Sequence, residues 1–213
     1  MMGYARDVAT LARKDILLEL RGRDTLPAMV LFVIGGLVVF HFAVPTDTSD
    51  AVGTGLLWVV ILFTALLGLV RAFVAEREQH LMDGLLLAPC DRSAIWLGKG
   101  LSVLAFLAVA EAVALPAFAL LFGGIEWTTV AAVALADLGI CAVGTVLAAM
   151  AVAGRARELL LPLLFLPLAI PIVVGGVGAS VTGHPARYLG FLVLYDAVFA
   201  IISWASFEYV VTE

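Results

Sequence analysis

Six long apolar stretches, separated by short polar segments, set the strongest limit on how this chain can fold. The first covers residues 26–44, nineteen residues without a charged side chain, and a helix needs roughly 17–25 such residues to cross a bilayer. Five more stretches follow, at about 53–74, 100–122, 128–153, 159–181 and 188–211. We therefore predict an all-α, polytopic membrane protein, with six transmembrane helices in a single membrane domain that spans residues 1–213.

The composition agrees with this class. Hydrophobic residues make up 63% of the chain and charged residues 14%, with a mean hydropathy of +1.13. A soluble domain of this size has too little interior to bury that much apolar surface. We therefore expect membrane lipids around most of the chain, and no nucleic-acid partner. Cys90 and Cys141 form no CxxC motif, and we interpret both as structural.

The residues before the first apolar stretch, 1–25, mix five basic and four acidic side chains with apolar ones. This pattern predicts an amphipathic helix that lies on the cytoplasmic membrane surface. A charged lead of this length also predicts that there is no removable signal peptide. Thr25 and Pro27 are typical of the cap and the first turn of a new helix, which would start the first span.

The fifth apolar stretch, 159–181, is rich in residues that interrupt helices. These are Pro162, Pro167 and Pro171, followed by Gly175, Gly176 and Gly178. We expect the outer half of this span to be kinked, or broken into a re-entrant piece that is buried in protein.

The basic residues predict the orientation. Of the twelve Lys and Arg residues, all but Arg187 fall in the N-terminal lead, the central loop or the turn around Arg155. Loops rich in Lys and Arg remain on the cytoplasmic side. We therefore expect a multi-pass protein of the cytoplasmic membrane with both termini in the cytoplasm.

A long polar segment at 75–99 separates the second and third apolar stretches. Within it, Leu81, Met82, Leu85 and Leu86 recur at helical spacing, and Pro89 ends the pattern. A short amphipathic helix of this kind can dock into a groove on a soluble partner. It can equally rest on the bilayer surface, and the spacing alone leaves both interpretations open.

The same segment largely follows a family motif that runs roughly L-E-R-x-F, acidic residues, L-E-x-L-L-L-S-P and L-A-K. The residues that match it are Leu69, Arg71, Phe73, Glu76, Glu78, Met82, Asp83, Leu85, Leu86, Leu87, Ala88, Pro89, Leu97 and Lys99. Val70, His80 and Gly98 depart from it. The stretch resembles the haem exporter B family, the permease subunit of an ABC transporter used in cytochrome c maturation.

The resemblance implies an ABC-2-type half-transporter that takes part in haem delivery across the membrane for c-type cytochrome assembly. It implies a homodimer, two ABC ATPase subunits that hydrolyse ATP, and a haem-handling membrane subunit, with no enzymatic activity in this chain. The residues expected to contact the ATPase are Glu76, Glu78, Leu81, Met82, Asp83, Leu85, Leu86 and Pro89. Two alternatives remain: an export permease for a drug, lipid or polysaccharide, and a polytopic scaffold or intramembrane enzyme.

Two observations from the residues agree with this picture. The chain has no Gly-rich phosphate loop ending in GK[ST], so any ATP hydrolysis must occur on a separate chain. Six spans also make too small a bundle to enclose a conduit for a large amphipathic molecule, which predicts self-association. The small residues expected to permit close helix approach are Gly35, Gly36, Ala132, Ala136, Gly139 and Gly144.

Three acidic residues, Glu111, Asp137 and Asp196, interrupt apolar stretches. A charge at mid-bilayer costs roughly 2.5–3.5 kcal/mol on insertion scales, so each residue needs a partner or a polar cavity. One interpretation is a polar pathway or a proton relay. The other is a neutral, hydrogen-bonded carboxyl group that joins two helices.

Two histidines, His41 and His184, map to the outer ends of spans. Imidazole is a common axial ligand of haem iron, so both are candidate haem contacts. The alternative is that they are ordinary polar anchors at the interface, since no CxxCH motif accompanies them. We expect no permanently bound cofactor, with haem as the handled ligand and ATP on the partner subunit.

Overall fold

The structure, a computed structural model, describes residues 2–22, 24–45, 50–73, 90–153 and 157–212. These residues form seven α-helices and no strand. The helices are α1 (Met2–Gly22), α2 (Thr25–Ala43), α3 (Asp50–Arg71), α4 (Arg92–Phe122), α5 (Trp127–Ala153), α6 (Arg157–Val181) and α7 (Pro185–Thr212). Helices α2 to α7 each contain a segment long and apolar enough to cross a membrane. The predicted all-α, six-span fold class is confirmed.

Helix α5 forms the centre of the bundle. It packs against α4, α6 and α7 and is the most buried of the six spans, whereas α2 and α7 are the least buried. Its small residues make this packing possible: Gly144 lies against Leu69 of α3, and Gly139 lies against Tyr195 of α7. The core of the molecule therefore surrounds α5.

This packing corrects one argument made from the sequence. Ala132, Ala136, Gly139 and Gly144 are buried inside a single chain, so they are not available to a second copy. A helix surrounded by its neighbours needs small side chains to bring their backbones close. On α2, Gly36 lies against Val60, and nothing lies within 4 Å of a Cβ placed on Gly35.

Helix α6 is continuous over Arg157–Val181, although it contains three prolines. The expected break into a re-entrant piece is therefore absent. The three glycines near its end allow large side chains to approach the helix: Trp58 lies against Gly176, Tyr188 against Gly178 and Leu192 against Gly175.

Helix α4 begins at Arg92, whereas the third span was predicted to begin at residue 100 and the loop to end at residue 99. Asp91 caps the helix, since its Oδ1 accepts hydrogen bonds from the backbone N–H of Ser93 (2.9 Å) and from the Ser93 hydroxyl (2.8 Å). These two bonds lower the pKa of Asp91, which outweighs the opposing effect of its slight burial. The helix then continues through Pro116.

The predicted start of α2 also differs. Asp24, and not Thr25, occupies the N-cap position, and its side chain makes no capping hydrogen bond. Instead, the backbone N–H of Thr25 donates to Glu19 Oε1 of α1 at 2.6 Å. The amphipathic helix α1 therefore caps the span that follows it.

The two ends of the bundle are distinct. At one end, which we call the loop end, Tyr4 of α1 is 3.0 Å from the Ser93 hydroxyl, and Arg92 is 3.3 Å from Glu208 of α7. At the opposite end, which we call the cavity end, the ring of His41 of α2 meets the ring of Phe122 of α4.

Candidate functional site

A cavity of about 600 Å³ opens at the cavity end, within the range of roughly 300–1,000 Å³ typical of small-molecule sites. Five spans contribute to it. The lining residues that matter below are His41, Gly53, Phe118, Phe122, Glu126, Thr129 and Ser180.

The aromatic side of this cavity is well ordered by ring contacts. His41 meets Phe122 edge-on, with ring centroids 5.7 Å apart, and Phe122 stacks on Phe118 at 4.8 Å. Gly53 of α3 makes room for this stack, because a Cβ there would lie 3.0 Å from the Phe122 ring. The imidazole is thus oriented beside two stacked rings while remaining exposed.

The cavity lining also contains many polar groups. Thr54, Thr129 and Ser180 supply hydroxyls, and Ser180 already donates to the Gly176 carbonyl at 2.8 Å. Among the described lining residues, Glu126 carries the only charge. Such a wall suits a ligand that has both an apolar face and polar groups and that an imidazole can reach.

The structure separates the two candidate histidines. His184 is exposed in the turn between α6 and α7, where its backbone N–H donates to Thr182 Oγ1 at 3.4 Å. It is not among the described residues that line the cavity. Only His41 is brought to a site that can hold a ligand.

The intramembrane acids fall into two places. Glu111 of α4 and Asp137 of α5 are both buried and share a hydrogen bond between their carboxyl groups. Two carboxyl groups can share such a bond only if one of them retains a proton. Glu111 Oε1 and Asp137 Oδ1 have no partner in the described part of the chain. The pair therefore lies at the contact between α4 and α5.

Asp196 of α7 lies apart from this pair. It approaches Gly139 of α5 so closely that a Cβ on that glycine would lie 2.5 Å from Asp196 Oδ1. Neither of its carboxyl oxygens has a hydrogen-bond partner within the described ranges.

The loop end contains a buried cation that the sequence did not single out for a role. Lys99 is 3% exposed, and its Nζ lies 3.0 Å from Asp15 Oδ2 of α1. Nζ also donates to the Ala72 carbonyl at 2.8 Å and lies 4.9 Å from the centre of the Phe73 ring. A lysine inside the first turns of an apolar helix signals a need for an anion, but the sequence does not say which one.

The residues predicted to contact an ATPase lie outside the described residues. These are Glu76, Glu78, Leu81, Met82, Asp83, Leu85, Leu86 and Pro89. The structure describes the chain on both sides of them, up to Phe73 and again from Cys90, and both positions lie at the loop end.

Comparison with known proteins gives a consistent result. Residues 6–207 match the CcmB protein family. Heme exporter protein B of Bradyrhizobium diazoefficiens is 32% identical over 81% of this chain and 80% of its own length. Heme exporter protein B of Pseudomonas aeruginosa is 32% identical over 83% of this chain and 82% of its own length. The protein of the same name from Rhodobacter capsulatus is 31% identical over 78% of each.

Proposed function

Because the chain belongs to the CcmB protein family, we propose that it is the membrane permease subunit of an ABC-type haem exporter that serves c-type cytochrome assembly. The observation that carries this conclusion is the family match, which extends over residues 6–207 and so covers nearly all of the six spans. The chain is a multi-pass membrane protein and a component of a transporter, and its activity is transport rather than catalysis.

We further propose that ATP is hydrolysed by a separate ATPase subunit, which docks on the chain at 74–89. The sequence has no phosphate-binding loop of its own. The docking segment leaves after Phe73 and returns at Cys90, at the end of the bundle where α1 also lies. In this arrangement the apolar face formed by Leu81, Met82, Leu85 and Leu86 fills a groove, while Glu76, Glu78 and Asp83 meet basic residues at its rim.

Haem is the handled ligand, and the cavity at His41 is its proposed contact site on this chain. A neutral imidazole can donate a lone pair to haem iron. The stacked rings of Phe118 and Phe122 offer an apolar surface to the porphyrin. The cavity end is then the side of delivery, and the loop end is the cytoplasmic side.

The assembly follows from the same reasoning. We propose a homodimer in the cytoplasmic membrane, with two ATPase subunits and a haem-handling membrane subunit. The least buried spans, α2 and α7, offer most surface to such partners. The Glu111–Asp137 bond holds α4 and α5 together during transport, and we propose this joining role for the pair rather than a proton relay.

One experiment tests function and docking together. In a strain that lacks the chain, wild-type protein should restore haem-stained c-type cytochromes and retain the ATPase in a pull-down. Leu85→Ala should weaken ATPase binding by about 1–3 kcal/mol, which is the range of an interface hot spot, and cytochrome formation should fall with it. Asp83→Lys should add a like-charge clash at the rim without affecting membrane insertion.

The matched control is Leu120→Ala, the same substitution at an exposed leucine near the far end of α4. It should behave as wild type. If Leu85→Ala and Asp83→Lys recover the ATPase as fully as the control does, the docking proposal is wrong. If loss of the chain leaves c-type cytochromes unchanged, the substrate is not haem.

A further inference from the structure

Lys99 is almost completely buried, and its ammonium group contacts a carboxylate, a backbone carbonyl and an aromatic ring. It lies in the third turn of α4 with Asp15 Oδ2 at 3.0 Å, the Ala72 carbonyl at 2.8 Å and the Phe73 ring centre at 4.9 Å. Burying an ammonium group is costly unless it is paired and hydrogen-bonded. This arrangement meets both requirements, and the ring face adds a cation–π contact.

Lys99 and its partners belong to three different parts of the chain. Asp15 lies on α1, the helix that precedes all the spans. Ala72 and Phe73 follow the end of α3, at the point where the chain departs toward 74–89. Lys99 itself lies on α4, to which the chain returns. A single ammonium group therefore joins α1 to both sides of the same loop.

Backbone packing at the same place makes this junction close. Gly98 lies directly beneath α1, because a Cβ there would be 2.8 Å from the Cβ of Leu11 and 3.4 Å from the Val8 carbonyl. Gly98 is one of the positions where this chain departs from the family motif, and the close approach of α1 explains why the alanine of that motif would not fit here. Helix α1 therefore follows α4 if α4 shifts.

The other side of the junction is more open. A cavity of about 280 Å³ lies between α1, α3 and α4, and Lys99, Glu19 and Arg71 are among its lining residues. The end of α3 can move relative to α1 only where there is free space between them, because close-packed interiors leave little room for a shift. This cavity provides that space.

We infer that Lys99 is a positioning residue that couples the proposed ATPase-docking segment, 74–89, to α1 and α4. A buried ion pair is weak evidence for a role in stability, since apolar residues of similar volume often stabilise a protein equally well or better. The ion pair instead fixes the position of α1 relative to α4. This inference rests on the proposed function, in which that loop receives the ATPase.

The test uses the complete transporter, with its ATPase subunit, in membranes. Lys99→Met removes the charge and keeps the length of the side chain. We expect the variant to retain its ATPase while the haem-stained cytochrome formed per ATP hydrolysed falls by roughly 5–150-fold, the usual range for coupling between sites. Lys99→Arg should restore part of this ratio, because the adjoining cavity has room for a guanidinium group.

The matched control is Lys14→Met, which removes the other lysine that contacts Asp15, at 3.1 Å and with a side chain 37% exposed. Exposed pairs contribute little, so this variant should keep the wild-type ratio. The double variant Lys99→Met with Asp15→Leu removes both charges of the buried pair, while Lys14, which also contacts Asp15, keeps its partly exposed ammonium group. If the pair acts as a unit, the double variant should transport no worse than Lys99→Met alone.

Two results would overturn the inference. One is a wild-type ratio of cytochrome to ATP hydrolysis in both Lys99→Met and the double variant. The other is a loss of bound ATPase that parallels the loss of transport, which would make Lys99 merely structural. Failure of the docking proposal is a separate outcome, because it appears as full ATPase recovery in Leu85→Ala whatever Lys99 does.

Discussion

His41 shows how a single residue at the end of a span can acquire a binding role. Its imidazole lies edge-on to Phe42 at 5.4 Å and to Phe122 at 5.7 Å. Both separations fall in the range of 4.5–7 Å favoured by aromatic pairs. The ring is therefore held in one orientation beside the cavity, as a metal ligand needs to be.

Replacing His41 by Phe should remove the ligating nitrogen and preserve the ring contacts. We expect the affinity of the purified chain for haem to fall by more than the 10–100-fold that loss of an outer-shell partner typically costs, because a direct ligand is lost. The Soret spectrum during haem titration measures this. His184→Phe is the control and should leave the titration unchanged. An unchanged spectrum and affinity in His41→Phe would exclude His41 as a ligand.

At the scale of helices, the sequence predicts the number and class of the spans because hydropathy is a local property. The pattern misplaces the start of α4, because the charged residues Arg92 and Lys99 favour a loop there whereas the helix already begins at Arg92. The capping residues Asp91 and Ser93 were visible in the sequence, but the partner of Lys99 was not. Asp15 lies far away along the chain, and only the packing of α1 on α4 brings it near.

The candidate sites likewise divide into residues that the sequence identifies and partners that only the fold identifies. Glu111, Asp137 and His41 could be selected from the sequence, since each is a polar side chain in an apolar stretch. The partners of these three residues depend on which spans pack against each other. The spacing of residues within one span does not show which spans are neighbours. The glycines of α6 show the same division: helix-breaking composition is a local property, whereas the fit of Gly176 against Trp58 is a tertiary contact.

This fit gives a prediction for α6. Gly176→Ala should place a methyl group against the buried, rigid Trp58 ring and destabilise the chain by about 1–3 kcal/mol, as overpacking typically does. Gly35→Ala is the matched control, because its methyl group enters open space and alanine favours a helix over glycine by about 1 kcal/mol. Thermal unfolding in detergent should give a lower Tm for Gly176→Ala alone. Equal Tm values would contradict the proposed packing.

At the scale of the whole molecule, α4 connects everything that the proposed function requires. Its 31 residues extend over roughly 46 Å at 1.5 Å per residue. Lys99 lies near the loop end of this helix, Glu111 bonds to α5 midway along it, and Phe122 lines the cavity at its other end. A shift of α4 caused at the loop end could therefore reach the cavity through one continuous helix.

The orientation of the bundle determines which end meets the ATPase. The loop end carries Cys90, a half-buried natural thiol, whereas Gly183 is exposed in the turn between α6 and α7. We expect a membrane-impermeant maleimide to label Gly183→Cys, in a Cys90→Ser background, on intact cells. In the wild-type chain Cys90 should react only after the cells are permeabilised, and Cys141 should stay silent because it is buried in α5.

The chemistry of Cys90 adds an internal check on this labelling. Burial, together with the nearby carboxylates of Asp7 and Asp91, raises the pKa of the Cys90 thiol above its ordinary value of 9.0. Since the thiolate is the reactive form, Cys90 should react more slowly at neutral pH than Gly183→Cys. Its rate should still be rising at alkaline pH values where the rate of an exposed thiol has levelled off. Labelling of Cys90 on intact cells, with Gly183→Cys protected, would place the loop end outside and exclude a cytoplasmic ATPase at 74–89.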